Sequence, residues 1–115
     1  IIAIWAKRSI GMAMPELLSK VHSDNDVVGR LFSSACYISD SWPSVLYLAY
    51  KYAEKPKAGL LANANLGGDN VHRGTVLGAI LGLAINNIPH ELYDELQDKD
   101  IIEEEITVLL NREIS

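Results

Sequence analysis

At 115 residues, 49% of them apolar, the chain has the size of one domain and enough hydrophobic side chains to bury a core. Its 10 basic and 15 acidic residues give a formal net charge of −5, and the basic ones are scattered over Lys7, Arg8, Lys51, Lys55, Lys57 and Arg73 without forming a stripe, which argues against nucleic acid as a partner. The single cysteine, Cys36, excludes an internal disulfide and a paired-cysteine zinc site, and the most apolar run, 75–85, is shorter than the ~20 residues that span a bilayer, so the expectation is a reducing, cytoplasmic setting with no membrane partner.

Taken in order, residues 1–12 place Ile2, Trp5, Ala6 and Ile10 near one helical face with Lys7 and Arg8 on another. The abrupt apolar start suggests a segment cut from a longer polypeptide. Pro15 suits the first position of a short helix over 15–22, and Asp24 or Asp26 in the following turn suits a cap. The spacing of Val28, Leu31, Phe32, Ala35 and Cys36 predicts a helix over 27–39 with Cys36 on its buried stripe. Pro43 opens a tyrosine-rich helix over 43–53, which Pro56 ends, and Asp40 is placed to cap it. A helix is chosen over a strand for 57–65, because β-branched residues are absent there. Residues 70–85 form the apolar helix, with Gly74, Gly78 and Gly82 along one side. Each glycine costs about 1 kcal/mol of helix propensity, so the stripe predicts close approach by a neighbour. After a loop at 86–89 come a short helix over 89–96 and an acidic one near 101–111, whose Glu103, Glu104 and Glu105 read as a solvated face. The expected fold class is all-α, a helical bundle of seven or eight helices without strands or repeats.

Chemistry concentrates in the stretch from Asn63 to Gly74, where Asn63, Asn65, Asp69, Asn70 and His72 surround Gly67 and Gly68 just ahead of the apolar helix. Glycines followed by an aspartate at a helix start serve two opposed ends: exposed N–H groups attract anions, and the carboxylate binds a hard cation. The same pattern also arises as one helix's C-cap followed by the next one's N-cap. Arg73 is expected in solvent, with pairing to a phosphate through its planar fork as the alternative. Trp42, Tyr47 and Tyr50 either offer a stacking surface to an adenine or belong to the core.

Three segments together carry a resemblance. Asn65-Leu66-Gly67-Gly68-Asp69, then Gly78-Ala79-Ile80-Leu81-Gly82-Leu83-Ala84, then Ile88-Pro89 through Tyr93 and Leu96 resemble, in order and spacing, the C-terminal signature of the ADP-ribosylglycohydrolase family. Tyr37 through Tyr47 also looks like the segment that precedes that signature. The resemblance implies that residues 1–115 are the C-terminal part of a larger all-α domain, whose missing N-terminal part would be its first partner. It also implies hydrolysis of the glycosidic bond in ADP-ribosylated substrates, assisted by magnesium ions held between an N-terminal acidic cluster and the Gly-Gly-Asp-Thr-Asp-Thr run.

Carried over residue by residue, the resemblance makes Asp69 a metal ligand. It makes Asn65, Gly67, Gly68, Asn70 and His72 binding residues for the substrate or an ADP-ribose-like small molecule, and it identifies no catalytic residue. Where the family has its second aspartate and its liganding threonine, this chain has Val71 and His72. Valine offers no donor, and imidazole suits transition metals better than magnesium, so another divalent metal is expected if His72 is a ligand. Two other readings stand beside the hydrolase. One is a non-catalytic relative binding a nucleotide-like ligand or a protein, and the other is a helical interaction module.

Overall fold

The structure, a computed structural model, describes residues 1–87 and 89–114. The part of the expected 86–89 loop that falls on Ile88 lies outside the described residues. Eight helices are present among the described residues: α1 (Ile2–Ile10), α2 (Met14–Lys20), α3 (Asp24–Val27), α4 (Ile38–Lys51), α5 (Pro56–Leu66), α6 (Asn70–Ile85), α7 (His90–Asp94) and α8 (Lys99–Ile114). The all-α expectation holds, and the sole β feature among those residues is an isolated bridge between Val28 and Phe32.

Helix α4 is the centre of the bundle. Every residue from Pro43 to Ala49 is buried on it, and α1, α5 and α6 pack around it. The core joins Ala6, Met14, Leu17, Val27 and Val28 to Leu46, Tyr47, Leu48 and Ala49, with Leu77 and Leu81 supplied by α6. Tyr47 is fully buried, and its hydroxyl donates to Asp24 Oδ1 at 2.7 Å. Tyr52 donates to Oδ2 of the same carboxylate at 2.6 Å, and Lys51 Nζ to Oδ1 at 2.6 Å. One carboxylate thus ties the short α3 to the C-terminal end of α4. Burial works against the charge on Asp24, but the hydrogen bonds from Lys51, Tyr52 and Tyr47 outweigh it and hold its carboxyl below the ordinary value.

The expected helix over 27–39 does not form. Helix α3 ends at Val27, Gly29 takes φ +123°, and the chain folds back so that Gly29 N–H donates to Phe32 O and Phe32 N–H to Val27 O. The Asp26 carboxylate accepts from the backbone N–H groups of His22 and Ser23, which anchors the short helix at its start. Val28 is buried as the apolar spacing requires, yet Leu31 and Cys36 are exposed, so Cys36 is no core residue. The periodicity there was fortuitous: local hydrogen bonding and a glycine at positive φ won over an apolar stripe.

Helix α4 also starts earlier than its proline suggests, at Ile38. Pro43 lies inside it, where it removes one backbone donor near the start. Asp40 sits in the first turn and does not cap its own helix; its Oδ1 accepts from Ser33 N–H at 3.0 Å. This contact pins the 33–37 loop against α4.

The glycine stripe on α6 is used unevenly. A Cβ at Gly74 would meet Asn63 Nδ2 at 2.8 Å and one at Gly78 would meet Leu60 at an ordinary 3.6 Å, whereas Gly82 has nothing within 4 Å. An equally tight approach, to less yielding neighbours, lies on α5, where a Cβ at Gly59 would sit 2.8 Å from Tyr52 Cβ and 3.1 Å from Leu81 Cδ1. The terminal helices run close to expectation, and α8 exposes Glu103, Glu104 and Glu105 together with large apolar residues.

Candidate functional site

The Gly67–Gly68 turn joins the end of α5 to the start of α6, and both glycines lie at positive φ, +68° and +61°. Gly68 could not be replaced even if its dihedrals were relaxed: a Cβ there would run into the Ser34 backbone carbonyl and side chain. The 33–37 loop therefore seals one side of the turn. Ser34 O also accepts from Asp69 N–H at 2.8 Å. The loop that replaces an expected helix is what holds the turn in place.

From the other side the turn is braced by Arg73, which is 3% exposed. Its Nε donates to Asn63 Oδ1 at 2.6 Å and its Nη2 to Gly67 O at 2.7 Å, with longer bonds to Asn63 O and Ser34 O. Asn63 is itself buried, and its Nδ2 donates to Asn70 O at 2.8 Å. Burial pulls the guanidinium below its ordinary pKa, opposed by the charge of nearby Asp69. Arg73, expected in solvent, is thus a buried strut whose planar fork satisfies carbonyls that the turn leaves open. Its spacing from Asn63 was no guide, because the contact needs the turn between α5 and α6 to reverse the chain.

The expected site residues divide. Asp69 and His72 come together, with Asp69 Oδ1 2.7 Å from His72 Nδ1. Asn70 lies next to them and donates to Gly68 O at 3.4 Å. Asn65 is exposed on the last turn of α5 and makes no side-chain hydrogen bond among the described residues. Val71 is 72% exposed. No side chain caps α6, so its first N–H groups, at Asn70, Val71 and His72, stay open to a ligand. Tyr47, buried with its hydroxyl on Asp24, offers no face to an adenine.

On its own this donor set does not supply the magnesium centre that the resemblance implies. Magnesium takes oxygen ligands in near-octahedral array. The turn supplies one carboxylate, one of whose oxygens is engaged by an imidazole nitrogen, and an apolar side chain at the next outward position. Among the described residues no three His, Cys, Asp or Glu side chains gather as they would around a metal ion. No helix among those residues is long and apolar enough to cross a membrane.

No curated protein and no solved structure is matched by the chain. The family model for ADP-ribosylglycohydrolase matches residues 4–114, nearly its whole length. With a helical fold and a Gly-Gly-Asp turn opening a helix of small residues, this chain belongs to the ADP-ribosylglycohydrolase family, whose chemistry is hydrolysis of ADP-ribosylated substrates.

Proposed function

We propose that the protein takes part in cleaving the glycosidic bond between ADP-ribose and an acceptor, and that the Gly67–His72 turn is the wall of the site that meets the ADP-ribosyl group. The observation that carries this is the turn itself. Its backbone is fixed by Ser34 and Arg73, its glycines allow close approach, and the open N–H groups of α6 suit a phosphate oxygen. In this reading Asn70 and His72 contact the ligand, Gly67 and Gly68 admit it, and Asn65 reaches it from the rim.

The rest of the site would come from a further helical layer of the same domain. Apolar side chains left in solvent along α1, α6 and α8 support this, among them Ile1, Trp5, Leu83, Ile101 and Leu109. A non-catalytic ADP-ribose binder is the second reading, favoured by Val71 and His72 at positions where the family has metal ligands. Calorimetric titration of ADP-ribose into the full-length protein, alongside an assay for its release from an ADP-ribosylated protein, separates the two. Release abolished by His72→Ala supports the hydrolase, binding without release supports the second reading, and the absence of both sinks the ADP-ribose assignment.

A further inference from the structure

We propose that Asp69 in the Gly-Gly-Asp turn of this chain orients His72 instead of ligating magnesium. The proposal rests on the family reading of the turn but not on the identity of the substrate. An ionised carboxylate can only accept, so at 2.7 Å it is His72 Nδ1 that carries the proton. That hydrogen bond sets the tautomer and directs the other ring nitrogen, Nε2, away from Asp69. His72 has 85% of its side chain exposed against 25% for Asp69, so the pair presents an imidazole nitrogen outward and keeps its carboxylate inside.

The surroundings reinforce this division. Asp69 is held by its own N–H on Ser34 O, and Arg73, one turn along α6, donates its backbone N–H to Asp69 O at 3.2 Å. The backbone of the carboxylate is therefore fixed while its oxygen faces the ring. A cation entering here would have to displace the imidazole from Oδ1 and would find an apolar side chain at Val71, where a second carboxylate would be needed. Magnesium parts with its water reluctantly, and an Oδ1 already engaged by the imidazole adds little to whatever ligands the rest of the domain supplies. Asp69 thus acts as a positioning residue, and His72 Nε2 is the polar atom that the turn offers to its ligand.

Two readouts on the full-length protein test the proposal without relying on activity. Long-range nitrogen–proton correlation of the imidazole rings, with the His72 signals assigned by His72→Gln, should show the Nδ1-protonated tautomer in the wild type and a shift towards the Nε2-protonated form in Asp69→Asn. An Nε2-protonated ring in the wild type would overturn it. Manganese, a paramagnetic stand-in for magnesium, should bind wild type and Asp69→Asn within twofold of each other. Restoring oxygen ligands with Val71→Asp and His72→Thr together should tighten it at least tenfold. A tenfold loss of manganese affinity in Asp69→Asn, or zinc binding that His72→Gln abolishes, would show a metal held at the turn and sink the proposal. If these results come out as expected while ADP-ribose fails to bind, the substrate reading falls and the orienting role of Asp69 stands.

Discussion

One buried and one half-buried charged group, Arg73 and Asp24, each hold several neighbours in this chain, and each makes a different prediction. Arg73 braces the turn through a fork that reaches Asn63 and Gly67 at once. Lysine carries the charge but cannot span both acceptors, so Arg73→Lys leaves buried carbonyls unpaired and should destabilise by about 2–3 kcal/mol. Urea unfolding measures this directly, and a loss under about 1 kcal/mol would show that the turn stands without its strut. Asp24 is a pH-dependent tie. Its carboxyl lies below the ordinary value in the folded chain, so its contribution is complete above the unfolded carboxylate pKa and disappears as the pH falls through the folded one. Asp24→Asn should lower the melting temperature at neutral pH, and the gap to wild type should close on acidification below about pH 4. A gap that stays constant down to pH 2 would mean that the charge of Asp24 plays no part.

At the scale of helices, the glycines separate what spacing can tell from what only packing can. In α6 they recur every fourth residue and so suggested one contact surface, but Gly82 faces open space while Gly59, outside the stripe, meets Tyr52 and Leu81. Gly82→Ala should therefore stabilise by about 0.5–1 kcal/mol through helix propensity. Gly59→Ala should cost about 1–3 kcal/mol, since the opposing Tyr52 Cβ is close to rigid backbone and cannot swing away. Thermal melts of the pair decide the matter, and the same sign of change for both would refute the packing of α5 on α4 and α6. Long helices with strong apolar patterns, such as α4 and α6, were legible in the sequence, as was the double glycine that ends α5, whereas α4 stops at Lys51, ahead of Pro56, which opens α5 instead. The 27–39 segment was not, because its fold depends on Gly29, on Asp26 accepting backbone N–H groups and on Asp40 holding Ser33, contacts that no periodicity encodes. For the site, the turn and the closeness of Asp69 to His72 follow from an i, i+3 spacing at a helix start. The roles of Ser34 and Arg73 depend on tertiary folding and left no mark in the pattern.

The molecule as a whole exposes more surface than its mass accounts for. A folded monomer of 12.7 kDa is expected to expose about 6,200 Å², whereas this chain exposes 7825 Å². Its radius of gyration is 15.5 Å, against about 13 Å for a compact domain of this length. The excess is about twice the ~800 Å² that each partner buries in a standard interface, and much of it is apolar. Ile1, Ile2, Trp5, Trp42, Leu46, Ile80, Leu83 and Ala84 line a groove of about 610 Å³ between α1, α4 and α6. Helix α8 shows Ile101, Ile106, Leu109 and Leu110 to solvent. Surfaces of this kind mark contact sites or places where chains associate. The 115-residue chain on its own should therefore associate as its concentration rises, seen by sedimentation velocity, and should bind a hydrophobic dye. Leu83→Lys, placed at an 84% exposed position, should shift association to at least tenfold higher concentration without lowering the melting temperature of the monomer. A chain that sediments as a monomer throughout and binds no dye, with Leu83→Lys indistinguishable from it, would show that this face is ordinary surface and would remove the support for a further helical layer.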